Sequence, residues 1–290
     1  MRKVYDELTA AFRRNDGVLS SKAYDRITNK HATLFENSDT IFVLLQASGY
    51  PIEEEDGFFR FRPYFTPYGD EVFCVVDIET NGSKPGTSQV IEIGAVKVQG
   101  GEVIDRFETY VACAYLPDQI IKLTGIEPAD LNGAPNRREA LTMLREFLDD
   151  AVFVAHNVNF DFSFLTASFE RFGLGSIGNP RMCTIDLARR TFESERYGLA
   201  YLNETLELGS RALHRAYCDA KAASKVMLKS FDNLPDYIET TDELLRFSTS
   251  SMKTRNRKKD KIEILTRSIS PDPQELSAKI KSEQTTGRKS

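Results

Sequence analysis

Apolar residues recur along this chain at two spacings, and the change from one to the other marks its organisation. From Val4 to Arg13 the spacing is helical. Ser20 or Ser21 caps a second helix through Ile27, and Ser38 or Asp39 caps a third, Thr40 to Ala47, which the Gly49-Tyr50-Pro51 turn ends. Pro51-Ile52 and the run Phe58 to Arg62 then flank an acidic turn, Glu53-Glu54-Glu55-Asp56-Gly57, as the arms of a hairpin do. Three helices followed by a hairpin predict a small winged-helix-like module over residues 1–70. Its last stretch, Pro63 to Asp70, reads as a linker, with two prolines and a glycine.

Beyond residue 70 the period shortens. Phe73 to Val76 is a continuous apolar run rich in β-branched residues, the pattern of a buried strand. Val90 to Val98 and Glu102 to Val111 predict two more strands, joined by Gln99-Gly100-Gly101 as an antiparallel hairpin. Arg137 to Leu148 is helical, Ala151 to Ala155 is a buried strand, and Phe160 to Phe172 is a helix closed by Gly173. A short strand over Met182 to Thr184 leads into a helix over 185–192. Another helix follows near 200–208, and Asp219 to Phe231 is the last well-marked one. Hairpin strands first, then strands alternating with helices, predict an α/β domain over 71–234 with a mixed sheet flanked by helices.

Charge adds a third segment. The net charge of the 290 residues is −5, but 11 of the 38 Lys and Arg lie from Ser251 onward, against five of the 43 Asp and Glu. The last forty residues therefore carry +6 and the remainder −11. The basic run Lys253 to Lys261 and the Ser-, Lys- and Gln-rich stretch behind it predict a helical and basic, largely disordered tail over residues 235–290. An acidic body is not a surface that coats nucleic acid, though it leaves room for an enzyme gripping one strand end through metal ions. Residues 1–70 hold nine basic and eleven acidic residues, which favours protein docking or packing at least as much as DNA contact. No apolar stretch approaches the roughly 18 residues of a membrane span. The four cysteines form no C-x-x-C pair, so they read as reduced packing residues of a cytoplasmic protein.

The chemistry begins where the first buried strand ends. Asp77 and Glu79 stand at i and i+2, hence on one face of a strand. Two like charges there are costly unless a cation lies between them. The ordinary explanation for an isolated D-x-E is a polar strand end meeting solvent; the alternative is a site for a hard divalent cation. Asp161 falls in the first turn of a helix, directly after the strand that ends at Ala155. Asp219 opens another, with His214 five residues before it. Acids at helix N-termini are ordinary caps when met singly. D-x-E, a later Asp and a final H-x4-D on these elements are harder to explain one at a time.

Together these residues resemble the DEDDh-type 3′–5′ exonucleases of the ribonuclease H-like superfamily, and within them the proofreading epsilon-like branch of bacterial DNA polymerase III. Asp77, Glu79 and Thr80 match the first motif. His156, Asn157, Phe160 and Asp161 match the second, and His214 and Asp219 the third. Ile91-Glu92-Ile93-Gly94-Ala95 and Leu123-Thr124-Gly125-Ile126 are similar to the family's intervening segments. The likeness covers about residues 71–233.

It implies two Mg²⁺ or Mn²⁺ ions held by Asp77, Glu79, Asp161 and Asp219, with His214 as general base. Four carboxylates balance two divalent ions, and oxygen ligands without cysteine argue against zinc. An imidazole, with an unperturbed pKa near 6.5, suits the task of accepting a proton from water. Ile78, Thr80, Asn157 and Phe160 are the implied substrate contacts, whereas His156 reads as structural. The implied substrate is the 3′ end of single-stranded or mismatched DNA, and the implied partner is a polymerase subunit, reached through the N-terminal module or the tail. An exoribonuclease of the same superfamily and a non-catalytic polymerase-binding scaffold are the alternatives; a scaffold of this kind usually lacks a metal ligand, and none is missing here.

Overall fold

A computed structural model describes residues 1–32, 37–209 and 214–249. The first seventy residues fold as α1 (Arg2–Arg14), β1 (Val18–Ser20), α2 (Ser21–Thr28), α3 (Ser38–Ala47), β2 (Ile52–Glu55) and β3 (Phe58–Phe61). Ser20 and Asn37 accept hydrogen bonds from the first-turn amides of α2 and α3, as side-chain caps do. The strands form an antiparallel sheet in the order β1-β3-β2, closed over a core containing Leu8, Phe12, Tyr24, Leu45 and Phe61. The helices and the hairpin were expected. Strand β1 was not, because three residues are too few to show a period.

The larger body is built on five strands in the order β6-β5-β4-β7-β8: β4 (Phe73–Thr80), β5 (Val90–Gln99), β6 (Glu102–Tyr110), β7 (Val152–Ala155) and β8 (Arg181–Cys183). Strands β4, β5 and β6 pair antiparallel, whereas β7 and β8 join in parallel. The sheet is therefore mixed, with helices on both faces. That explains the unbroken apolar runs. In β4, Cys74, Val76 and Ile78 enter one core with α5 (Arg137–Leu148) and α6 (Val158–Arg171), while Phe73 and Val75 enter the opposite core with α9 (Ala216–Phe231) and α10 (Thr241–Thr249). Strands buried on both faces have no reason to alternate.

Between the strands and α9 lie α4 (Asp118–Thr124), α7 (Thr184–Thr191) and α8 (Leu199–Thr205). Helix α6 starts at Val158 and α9 at Ala216, so Asp161 and Asp219 both sit in first turns. Helix α4, like β1, escaped the sequence pattern. Among the described residues, no helix is long and apolar enough to cross a membrane.

Two boundaries differ from expectation. The stretch 63–70 is not a free linker. Thr66 and Tyr68 bond to the backbone of Thr241 and Glu239, Pro67 bridges to Thr240, and Arg62 pairs with the buried Glu71 at 2.7 Å. The tail likewise does not begin at 235. Leu244 and Leu245 of α10 are buried in the core of the larger body, and Asp242 accepts an ion pair from Arg13 of α1 at 2.6 Å. Nine residues with three charges give a weak helical signal, and only the packed surface shows why they fold. The basic run Lys253 to Lys261 lies outside the described residues.

The N-terminal module is thus keyed to the larger body. Arg145 of α5 donates to the carbonyls of Ser48 at 2.9 Å and Ser176 at 2.8 Å while lying over the Phe169 ring. A cavity of about 1000 Å³ remains between the two parts, lined by Tyr5, Arg13, Tyr50, Phe162 and Arg181 among others. It contains none of the motif carboxylates.

Candidate active site

Strand β4 carries Asp77 and Glu79 at its C-terminal end, on the face that meets α9, as strand alternation from Phe73 and Val75 requires. A bulge follows Glu79, and Thr80 turns the chain by donating its hydroxyl to the Gly82 carbonyl at 2.8 Å. From β7 the chain passes through Asn157, held at φ +79°, into α6. Asn tolerates this left-handed conformation better than most residues. The sharp entry brings Asp161 back against β4, where the backbone at Ile78 hydrogen-bonds its carboxylate.

Helix α9 closes the site from above. Its first turn lies directly on Gly94 of β5: a Cβ there would fall 2.0 Å from the Tyr217 amide nitrogen. Only glycine permits that approach. Asp219 is thereby held over the sheet, and its Oδ2 accepts the His214 backbone N–H at 3.0 Å. The ligand atoms of Glu79, His214 and Asp219 all lie within 4.8 Å of one another.

The electrostatics show how crowded the acids are. Burial, and then the neighbouring Asp161, Asp219 and Glu79, push the Asp77 carboxyl well above the usual carboxylate range. Burial raises Asp161 to about 8, against the pull of its backbone hydrogen bonds. Burial and Glu92 raise Glu79 to about 7, with Arg215 acting the other way. Asp219 is also raised, chiefly by burial. Four acids that resist ionisation together make a pocket that calls for positive charge.

A divalent ion fits this donor set. The four acids and His214 supply oxygen ligands and one imidazole, with no thiolate among them. Asp219 Oδ1 is buried, and among the described residues it has no hydrogen-bond partner. A buried carboxylate oxygen left unpaired is costly unless something binds it.

Each expected site residue can now be placed. Asp77, Glu79, Asp161 and Asp219 meet electrostatically, and His214 lies exposed at their edge with φ +64°. Ile78 is buried beneath them, with its backbone toward Asp161. Asn157 is exposed and Phe160 half-buried at the α6 entrance, while the Thr80 hydroxyl is engaged by Gly82. His156 donates from Nε2 to the Tyr197 carbonyl at 2.9 Å and accepts at Nδ1 from Thr184 at 2.8 Å. Burial lowers its pKa to about 4, so it is a neutral structural side chain.

Sequence reasoning did not single out Glu92, Arg215 and Tyr110, which form a hydrogen-bonded group beside Glu79. The available signal was an acid flanked by isoleucines, Glu92 between Ile91 and Ile93, inside the largely apolar strand Val90 to Val98.

The mixed sheet and this cluster of acids define an α/β domain with a candidate cation site, and comparison with known proteins gives its family. The sequence profile of the exonuclease family, RNase T type, matches residues 74–227. The chain belongs to that family. The PolC-type DNA polymerase III of Halalkalibacterium halodurans is 39% identical over 165 residues, which are 56% of this chain and 11% of that polymerase. The PolC-type enzyme of Staphylococcus aureus is 34% identical over 179 residues, 61% of this chain and 12% of the polymerase. The chain therefore spans only about a tenth of the length of these relatives. Among solved structures, Escherichia coli exonuclease I in complex with a dA16 oligonucleotide superposes with a TM-score of 0.53 at 19% identity, covering 61% of this chain and 43% of that one. A second exonuclease I structure gives 0.52 at 19% identity over 57% of this chain and 42% of that one. The fold is that of the ribonuclease H-like exonucleases.

Proposed function

We propose that this protein is a divalent-metal-dependent 3′–5′ exonuclease that removes nucleotides from the 3′ end of single-stranded or mismatched DNA, in an epsilon-like proofreading role. The observation that carries the reading is the meeting of four acids, Asp161 and Asp219 buried and Asp77 and Glu79 half-buried, all with raised pKa values, beside an exposed histidine. Mg²⁺ or Mn²⁺ is the implied cofactor. Bound there, two such ions would lower the pKa of water and stabilise charge on the departing 3′ oxygen.

The chain's own groups do the rest. Asp77, Glu79, Asp161 and Asp219 would hold the cations, and with their own negative charge offset in that way they would admit an anionic phosphate. His214, on the exposed rim, accepts the proton of the attacking water. Its exposure gives that proton a path to solvent. The backbone of Ile78 and the Thr80 turn face the terminal 3′-OH. Asn157 and Phe160, at the mouth of α6, contact the last nucleotide. Water adds to phosphorus as the P–O3′ bond breaks, so the products are a nucleoside 5′-monophosphate and a strand one residue shorter with a new 3′-OH.

The N-terminal module is the proposed docking surface for a polymerase subunit. Through Arg145, Arg13 and Arg62 it is fixed to the nuclease body, so a partner held there would be held at a set orientation to the active site. The PolC-type relatives, named as polymerases, support a polymerase as the kind of partner.

The test uses purified protein with Mg²⁺ or Mn²⁺ and 5′-labelled oligonucleotides of matched DNA and RNA sequence. Alongside them run a paired and a mismatched primer–template. The proposal expects a descending ladder on DNA, faster at the mismatched end than at the paired one. Faster digestion of RNA would make the protein an exoribonuclease. Tight binding without hydrolysis under every metal would make it a scaffold.

A further inference from the structure

The strand register sets Glu79, Glu92 and Tyr110 side by side across β4, β5 and β6. Residues paired in this way point to one face, so the row lies on the face that carries the acids and supports α9. Two carboxylates directly opposite each other are destabilising. Glu92 is 4% exposed in a strand whose other neighbours are apolar. A buried acid beside a metal-site acid needs a reason, and Arg215 supplies it.

The Arg215 guanidinium reaches Glu92 Oε1 with Nε at 3.1 Å and with Nη2 at 3.0 Å. Nη2 also donates to the Tyr110 hydroxyl at 2.6 Å, and the guanidinium lies 5.4 Å from the Tyr110 ring centre. The second Glu92 oxygen accepts the backbone N–H of Ala216 at 3.0 Å. One buried carboxylate therefore holds both the side chain of the residue after His214 and the first amide of α9.

His214 sits between two fixed points. Its own N–H is held by Asp219, and the next two residues are held by Glu92. Its φ of +64° is a conformation that a non-glycine residue keeps only where the surroundings impose it. The close approach of α9 over Gly94 leaves that turn little room to shift.

We propose that Glu92, Arg215 and Tyr110 form a positioning row that holds His214 and the first turn of α9 over Glu79, setting turnover without touching the scissile phosphate. The proposal rests on the exonuclease reading above. Its rival is that Arg215, whose side chain is 41% exposed, grips a substrate phosphate directly. The two differ in what they affect. A positioning row acts on kcat, because a misplacement of about 1 Å can cost on the order of 10²-fold. A phosphate contact acts on KM and on the salt dependence of binding.

The experiment measures kcat and KM on a short oligonucleotide at saturating Mg²⁺ for Glu92→Gln, Arg215→Gln, Arg215→Lys, Tyr110→Phe and the Glu92→Gln/Arg215→Gln pair. Glutamine keeps the shape of Glu92, and melting temperatures show that each variant is folded. The row predicts a fall in kcat of roughly 10- to 100-fold for Glu92→Gln and Arg215→Gln, with KM within about threefold. The double variant should be no slower than the worse single one, since both remove the same device. Arg215→Lys should recover part of the loss, because it keeps the charge but not the fork. A second readout needs no turnover: amide hydrogen exchange at Ala216 to Asp219 in metal-free protein should quicken in Glu92→Gln, while β7 is unaffected. Wild-type kcat in both single variants, losses confined to KM and salt dependence, or losses that multiply in the double variant would overturn the proposal. If wild-type protein shows no hydrolysis, the exonuclease reading fails first, and the exchange rates still decide whether the row holds the turn.

Discussion

Replacing Asp161 with Asn should stabilise the metal-free protein, and by an amount that depends on pH. The Asp161 carboxyl is pushed up to about 8 from an ordinary 3.8. Because its folded pKa is raised, the native state is unpenalised below the unfolded value and loses stability as pH climbs toward 8. Each step of one in pKa is worth about 1.4 kcal/mol, so the full penalty above pH 8 is on the order of 5 kcal/mol. Burial causes most of that penalty and Glu79 adds to it; the replacing amide stays buried and must itself be hydrogen-bonded, so the substitution should recover about half, roughly 2–3 kcal/mol. For a body of this size that amounts to about 5–10 °C in melting temperature. The assay is calorimetry in EDTA at pH 4.5 and 8.5. Asp161→Asn should melt within about 2 °C of wild type at the lower pH and well above it at the higher. Added Mn²⁺ should raise wild type more than the variant, closing the gap. Equal destabilisation of Asp161→Asn at both pH values would refute the reasoning, because Asp161 would then be an ordinary helix cap.

Asp77→Ala should abolish hydrolysis while leaving the metal-free fold at least as stable, checked by single-turnover assay and thermal melt. His214→Ala should lower kcat by roughly 10²–10⁴-fold while calorimetric Mn²⁺ binding survives; loss of binding as well would make His214 a ligand and not a base. His156→Ala should cost about 1–3 kcal/mol by orphaning Thr184 and the Tyr197 carbonyl, with kcat retained in the folded fraction. The wild-type His156 pKa is depressed to about 4, so its contribution is complete above the unfolded value near 6.5 and declines as pH falls toward 4. Truncation after Thr249 should leave turnover on a short oligonucleotide unchanged, whereas truncation after Thr240 should lower the melting point sharply by removing Leu244, Leu245 and the Asp242 partner of Arg13.

How far the sequence revealed this molecule depends on how far each signal reaches along the chain. Strands β4, β5 and β7 were legible because burial on both faces demands unbroken apolar runs. The acids at 77, 79, 161 and 219 were legible because each breaks the apolar pattern at an element end. Short elements such as β1 and α4 were not, since a period cannot be read over three to seven residues. Helix α10 is expected only as unplaced helix within the tail, for a different reason: its packing depends on Arg13 and on the 66–68 segment, more than 170 residues away in sequence. Glu92 shows the same limit within the site. Its partner Arg215 lies 123 residues on, and a single Glu in an apolar strand announces a need without naming what meets it.

The central claim is exonucleolytic hydrolysis from a free 3′ end by the Asp77–Glu79–Asp161–Asp219 site, and one paired digest tests it most directly. Linear single-stranded DNA and a closed circle of the same sequence are incubated with wild-type protein and with Asp77→Ala in Mn²⁺, and released nucleotides are separated by chromatography. The account predicts nucleoside 5′-monophosphates from the linear strand with wild type alone, and an intact circle with both proteins. Cleavage of the circle, or equal digestion of the linear strand by Asp77→Ala, would contradict it.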